Sequence, residues 1–184
     1  EHPAPLNCIE GLVRQVMVTN VAAQPVSLEL LDGLPIVIPC GLDDTMLKKI
    51  SRTAEAWMAV FNLDAGVPFY RVQASVGDEA EVEAIAEGHF YLAFARGPDM
   101  SGLVTIVDPA IVFGANTALS YPDFFLSHSL AELRATPQAT VCRTPCGFSG
   151  ASAALAPGEA LTLYALIGHV SEAVTRLALP RKDV

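Results

Sequence analysis

Apolar and polar residues alternate over several short stretches of this chain, and that period of two limits the fold more than any other feature. The clearest stretch is 25–32, where Val26, Leu28 and Leu30 share one side. Successive side chains of a β-strand point to opposite faces of its sheet, so this pattern is typical of a half-buried strand. Turn residues separate such stretches, and helices do not alternate with them. The chain is therefore predicted to form antiparallel sheets rather than a nucleotide-binding α/β fold.

The first two strands are predicted to form a hairpin. Residues 12–19 are apolar on both sides, and residues 20–24 make a short connection to the strand at 25–32. Pro35 and Pro39 flank the next apolar run, so any strand there is expected at a sheet edge or with a bulge.

A three-stranded meander is predicted farther along the chain. Residues 69–76 alternate, Gly77 and Asp78 make a two-residue turn, and 79–84 alternate again with three glutamates on the solvent side. Residues 90–95 are apolar on both faces, as expected of a central strand. Further strands are predicted at 103–107, 110–113, 139–143, 149–155 and 161–169.

One stretch has a helical period instead. Asp43 and Asp44 are typical N-cap residues, and apolar residues then recur at spacings of three and four as far as Phe61. We therefore predict one inserted amphipathic helix that ends near 62–66, and a shorter helix around 124–134. The apolar stripe of the first helix consists of Leu47, Ile50, Ala54, Trp57, Met58 and Phe61. The only tryptophan lies in this stripe, which favours a packing role over contact with a sugar.

Length and charge limit the number of domains and the classes of partner. The 184 residues fit one domain, 1–184, and an apolar fraction of 52% with 17% charged residues excludes a disordered chain. The net charge of −9 repels nucleic-acid phosphates and anionic lipids, so neither is expected as a partner. We predict a single antiparallel β-sandwich.

Local motifs predict no reaction and no metal site. The chain has no phosphate-binding glycine loop, and the stretch from Gly147 to Ala151 misses the serine-nucleophile pattern by one position. The four histidines are scattered, and Cys142 and Cys146 have no companion pair, whereas zinc needs three or four ligands close together. The four cysteines are interpreted as reduced thiols, which favours a cytoplasmic location.

Several motifs together resemble the N-terminal β-sandwich region of bacterial inverting glycoside phosphorylases. That group includes cellobiose phosphorylase, 1,2-β-oligoglucan phosphorylase and the phosphorylase-like part of cyclic β-1,2-glucan synthases. The resemblance spans nearly the whole chain, with one departure at Cys40, where the family pattern has an aromatic residue. The matching motifs are Gly11-Leu12-Val13-Arg14, Leu28-Glu29-Leu30-Leu31-Asp32-Gly33-Leu34-Pro35, Glu55-Ala56-Trp57, Pro68-Phe69-Tyr70-Arg71, Gly88-His89-Phe90-Tyr91 and Ile167-Gly168-His169.

The resemblance implies that this chain, 1–184, is a fragment of a larger multidomain enzyme. Its fold would be a galactose mutarotase-like super-sandwich that is followed in the parent enzyme by a helical linker and an α/α barrel. The barrel holds the general acid and the phosphate site, so no catalytic residue is carried over to this chain. The parent reaction would use inorganic phosphate as co-substrate and release α-glucose 1-phosphate. The implied partners are an oligosaccharide, the barrel and a second copy in a homodimer, and no cofactor is expected.

Four residues beside the matching motifs are predicted to bind substrate, because their side chains can form hydrogen bonds with sugar hydroxyls. They are Arg52, Tyr70, Arg71 and His89. Two other functions stay open at this point. One is a free-standing carbohydrate-binding module. The other is a mutarotase-like epimerase that uses a histidine and a carboxylate as acid and base.

Overall fold

The computed structural model describes residues 10–74, 85–98 and 103–170. This part of the chain is mainly β, and its eight strands form two antiparallel sheets with a few short helices beside them. The predicted turn at Gly77-Asp78 and the predicted strand at 79–84 lie outside the described residues.

The larger sheet has five strands, in the spatial order β1-β8-β5-β4-β3. The predicted central strand at 90–95 is confirmed, because β5 lies in the middle of this sheet and pairs with β8 over nine residues. The strands are β1 (Glu10–Thr19), β3 (Met58–Phe61), β4 (Phe69–Val72), β5 (Gly88–Arg96) and β8 (Ala160–Val170).

The smaller sheet has three strands, in the order β2-β7-β6. These are β2 (Val26–Leu34), β6 (Val104–Ile106) and β7 (Gly147–Leu155). The predicted opening hairpin is therefore wrong: β1 pairs with β8 in one sheet, and β2 pairs with β7 in the other. Alternation of apolar and polar residues indicates which face of a strand is buried, but it does not indicate which strand is its partner.

Buried side chains join the two sheets. The Ser149 hydroxyl on β7 donates a hydrogen bond of 2.7 Å to the Tyr91 hydroxyl on β5, and both residues are almost fully buried. Beside this pair lies a cluster of Val37, Val60, Tyr70, Val107 and Ala165, while Ala151, Ala153, Leu155 and Leu161 form a second cluster. The Ser149–Tyr91 hydrogen bond and the second cluster thus connect side chains of the two sheets.

The predicted long helix at 43–61 is wrong beyond its first two turns. Helix α1 (Asp44–Ile50) begins where expected, since the Asp43 side chain accepts a hydrogen bond from the Met46 amide. A 3₁₀ helix follows at Ser51–Trp57, and β3 then begins at Met58. The segment forms a strand because β3 pairs with β4 and buries three consecutive residues. A helix with one apolar stripe would not bury three residues in a row.

Three more short helices pack beside the small sheet. They are α2 (Ala110–Phe113), α3 (Asp123–Ser127) and α4 (Leu130–Ala135). Residues 110–113 were predicted as a strand, but Asp108 accepts a hydrogen bond from the Ala110 amide and starts a helix. The strand predicted at 139–143 is reduced to one bridge between Val141 and Ala59. No helix in the described ranges has the length and apolar character needed to cross a membrane.

Candidate functional site

A cleft lies between the 3₁₀ helix, helix α2 and the segment before β7, and we call it the polar cleft after its six polar lining residues. Its volume is about 450 Å³, which is within the usual range of small-molecule sites. Apolar atoms form most of its lining, and amide, hydroxyl and charged groups form the rest. The polar lining residues are Arg52, Glu55, Asn116, Thr117, Arg143 and Thr144, and the apolar ones include Pro35, Ile36, Phe113 and Leu119.

Three side-chain contacts shape the polar wall of this cleft. The Thr144 hydroxyl donates to the Glu55 carboxylate at 3.0 Å, and Arg52 lies 3.5 Å from the same carboxylate. Next to Thr144 in the chain, Arg143 contacts the buried carboxylate of Asp108 at 2.6 Å. Arg52 is mostly exposed to solvent in its ion pair with Glu55.

A second polar site lies where the ends of β5 and β8 meet. His89 and His169 are directly paired in these strands, so their side chains are on the same face of the sheet. By alternation this is also the face of Tyr91 and Ala165, which lie in the core. The Nδ1 atoms of the two histidines are 3.4 Å apart, and the rings meet edge to face.

Cys40 completes this site from a loop beside β4. Its amide donates to the Tyr70 carbonyl at 3.3 Å, and its carbonyl accepts from the Val72 amide at 2.9 Å. The Cys40 sulfur and one nitrogen from each histidine all lie within 4.8 Å of one another, and all three residues are half-buried. We call Cys40, His89 and His169 the cysteine–histidine cluster.

The Glu87 carboxylate lies next to this cluster. One oxygen is 3.6 Å from Nε2 of His169, and the other is 3.8 Å from the Cys40 sulfur. Burial raises the pKa of the Cys40 thiol, and the negative charge of Glu87 raises it further. Burial also lowers the pKa of His89, and its neighbour His169 lowers it further. Without a bound cation, the thiol and the His89 imidazole are thus held in their neutral forms.

The four predicted substrate-binding residues lie in two places. Arg52 lines the polar cleft. The others lie on or beside β4 and β5, where Tyr70 is paired with His89. Tyr70 is fully buried, and its hydroxyl donates to the Cys146 carbonyl at 3.0 Å, so a ligand reaches it only if core groups move. Arg71 donates to the Ile85 carbonyl, and its guanidinium lies 4.5 Å above the centre of the Phe61 ring.

Sequence reasoning missed the cysteine–histidine cluster. The two histidines are 80 residues apart in the chain, and only the pairing of β5 with β8 brings them together. In the structure each histidine occupies the second position from one end of its strand, β5 or β8, whereas the sequence pattern placed His89 in the turn before one predicted strand and His169 at the end of another. Comparison with protein-family models and with curated proteins finds no match for this chain.

Proposed function

We propose that this chain is a non-catalytic, carbohydrate-associated N-terminal domain of a glycoside phosphorylase. The full-length parent would use inorganic phosphate to cleave β-linked gluco-oligosaccharides, with β-1,2 linkages the first choice, and release α-glucose 1-phosphate. The observation that carries the proposal is the polar cleft that Arg52 lines, since the resemblance predicts a substrate-binding role for this residue.

The chemistry of the cleft suits a sugar. A pyranose presents hydroxyl groups at its rim and C–H groups on its faces, so it needs hydrogen-bonding side chains next to apolar ones. Arg52, Asn116 and Thr117 offer donors and acceptors, while Ile36 and Phe113 offer apolar surface. The cleft would form one wall of the substrate site, and the α/α barrel of the parent would supply the other wall and the reacting groups.

The outward face of the five-stranded sheet supports a partner domain. Val13, Met17 and Phe94 are each at least half exposed on this face, and Phe94 stacks on Tyr164 with ring centres 4.8 Å apart. Exposed apolar surface of this kind is typical of a docking area. Within the proposal, the two sheets are a galactose mutarotase-like sandwich, and this face packs against the barrel or a second copy. The three described cysteines are free, in keeping with a cytoplasmic location.

A titration followed by nuclear magnetic resonance tests the proposal. With β-1,2-gluco-oligosaccharides, we expect saturable shifts at cleft residues and a dissociation constant of about 1 mM or weaker, because half of the site is absent. Arg52→Ala should abolish the shifts, while Arg96→Ala on β5 should leave them unchanged. The chain should release no glucose 1-phosphate from these sugars and phosphate. Release of that product, or no sugar binding at any concentration, would contradict the proposal.

Two results would favour the alternatives. A dissociation constant in the micromolar range for the isolated chain would indicate a free-standing carbohydrate-binding module. The contact of 3.6 Å between His169 and Glu87 favours the epimerase as a second candidate, since it places a histidine beside a carboxylate. Faster equilibration of the α and β anomers of glucose or galactose, lost in both His89→Ala and His169→Ala, would support that candidate.

A further inference from the structure

We propose that Cys40, His89 and His169 form a binding site for a zinc-like divalent cation, with Glu87 positioning the His169 ring. This inference departs from the sequence-based expectation of no metal site. It does not depend on sugar binding, because it concerns different residues from those of the polar cleft.

The spacing of the two histidines is the first argument. In a tetrahedral zinc site with Zn–N distances of about 2.0–2.1 Å, two ligating nitrogens are roughly 3.3–3.4 Å apart. The Nδ1 atoms of His89 and His169 are 3.4 Å apart. Both rings therefore already present a nitrogen at the separation that one bound zinc ion requires.

Cys40 is the third ligand. With a Zn–S distance of about 2.3 Å, a tetrahedral site separates sulfur from nitrogen by roughly 3.6 Å. The Cys40 sulfur lies within 4.8 Å of one ring nitrogen of each histidine, so the sulfur-to-nitrogen distance has to shorten by at most about 1.2 Å. The backbone of Cys40 is held by two hydrogen bonds to β4, so rotation of the short side chain makes this adjustment.

The type of ligand points to zinc rather than to magnesium or calcium. One sulfur and two imidazole nitrogens are the donors that zinc prefers, whereas magnesium and calcium prefer oxygen. A thiolate and the adjacent Glu87 carboxylate together carry the two negative charges that balance a divalent cation. Three protein ligands leave one position for water or another small ligand, which is the arrangement of zinc sites that do chemistry.

Glu87 has the role of a positioning residue. A metal-bound histidine usually donates its second ring N–H to a carboxylate, which fixes the ring and its tautomer. Glu87 lies 3.6 Å from Nε2 of His169, on the opposite edge of the ring from Nδ1. Arg71 on β4 donates to the Ile85 carbonyl and lies over the Phe61 ring, and these contacts hold its guanidinium.

Titration of the full chain with Co²⁺ and Zn²⁺ tests the site. Cobalt reports the donors directly, because a thiolate ligand gives a charge-transfer band and a tetrahedral site gives strong visible bands. We expect one cobalt per chain, both features in the spectrum, and their loss when zinc is added. A chelator competition then gives the zinc affinity of each variant.

Matched variants separate this site from binding elsewhere. Cys40→Ser should remove the charge-transfer band, while Cys142→Ser, which changes an exposed cysteine, should keep it. Likewise, His169→Asn should weaken zinc binding and His128→Asn should not. Glu87→Gln should weaken zinc binding about 10–100-fold, because losing the hydrogen-bond partner of a metal-bound histidine usually has an effect of this size. The thiolate band should remain in this variant. Loss of a direct ligand should weaken binding more.

Circular dichroism and thermal unfolding of each variant without metal check that it folds. If His169→Asn does not fold, Cys40→Ser decides the question, because it exchanges one atom in a loop. A thiolate band that persists in Cys40→Ser, or an affinity equal in Cys40→Ser and the unaltered chain, would overturn the proposal.

Discussion

The cysteine–histidine cluster and the polar cleft are built in different ways. Two of the three cluster residues lie opposite each other on paired strands, so the hydrogen-bond ladder sets their separation. The cleft combines side chains from a 3₁₀ helix, a short α-helix and irregular segments. A few side-chain contacts, such as those of Asp108 with Arg143 and of Thr144 with Glu55, connect these segments.

We expect the cysteine–histidine cluster to be the more preorganised of the two sites. Sites on strands hold their geometry more precisely than sites on loops, and metal ions demand such precision. Sugars tolerate adjustment, since several hydroxyl groups can exchange partners. We therefore expect metal binding to leave the backbone unchanged and sugar binding to shift the segments around the cleft.

The largest expected effect comes from removing a buried side chain of the five-stranded sheet, and it tests whether the sheet is more rigid than the helical side. Leu163 on β8 is almost fully buried, and Leu163→Ala should lower the free energy of unfolding by about 2–5 kcal/mol. The same change at Leu126 in α3, which is 58% exposed, should cost less than about 0.5 kcal/mol. Urea unfolding measures both. Equal costs would mean that the sheet is no more rigid than the helical side.

The next effect concerns the wall of the cleft. The buried Asp108 carboxylate accepts hydrogen bonds from the amides of Ala110 and Ala139 and contacts Arg143. Asp108→Ala should lower the free energy of unfolding by about 3 kcal/mol, at the low end for a broken buried pair because Arg143 is partly exposed. Chemical denaturation measures the loss, and Asp123→Ala in α3 is the control. A change in Asp108→Ala no larger than in the control would contradict the view that this residue holds the cleft together.

A third effect tests the buried tyrosines of the sheet. Burial raises the pKa of Tyr91 to about 12, and burial also raises the pKa of Tyr70. The unfolded chain loses tyrosine protons from about pH 10, but the folded chain keeps them. The contribution of Tyr91 should thus be full below about pH 10 and fall by about 1.4 kcal/mol per pH unit from there to about pH 12, and Tyr70 adds a fall of the same slope above pH 10.

Denaturation at a series of alkaline pH values measures this fall. Tyr91→Phe should make the fall shallower, whereas the same change at Tyr121, which is 56% exposed, should leave the slope as it is. An unchanged slope in Tyr91→Phe would show that solvent reaches the space between the sheets.

The smallest effect lies at the start of α4. The Ser129 hydroxyl accepts from the Glu132 amide, and the Glu132 carboxylate accepts from the Ser129 amide. Ser129→Ala should lower the free energy of unfolding by about 1 kcal/mol, while Ser27→Ala on the exposed side of β2 should change it by less than about 0.5 kcal/mol. Thermal unfolding followed by circular dichroism compares the two. A cost at Ser129 no larger than at Ser27 would show that this cap does not hold the helical side in place.

Local patterns predicted the strands of this fold better than its pairings. The segments 25–32, 90–95 and 161–169 are strands, because each alternates or is apolar over a length that suits one. The prediction of a helix through Met58 was wrong, since a continuous apolar run is compatible with both an amphipathic helix and a buried strand. The partner of β1 could not be read locally, because it lies about 140 residues away in β8.

The two candidate sites also differ in how much a local sequence pattern could predict. Arg52 was predicted from the resemblance, and it lines the cleft, but its binding of a sugar stays a prediction. The cysteine–histidine cluster depends on the register of two distant strands and on a loop that pairs with β4 at Arg71. A shift of one residue in that register would place one histidine on the opposite face, so no local pattern could predict the cluster.

X-ray absorption of the zinc-loaded chain tests most directly whether strand register builds a metal site here. The account predicts one sulfur at about 2.3 Å from zinc and two imidazole nitrogens at about 2.0 Å, with one further light atom. The sulfur should disappear in Cys40→Ser and remain in Cys142→Ser. A zinc shell of only oxygen and nitrogen in the unaltered chain would contradict the account.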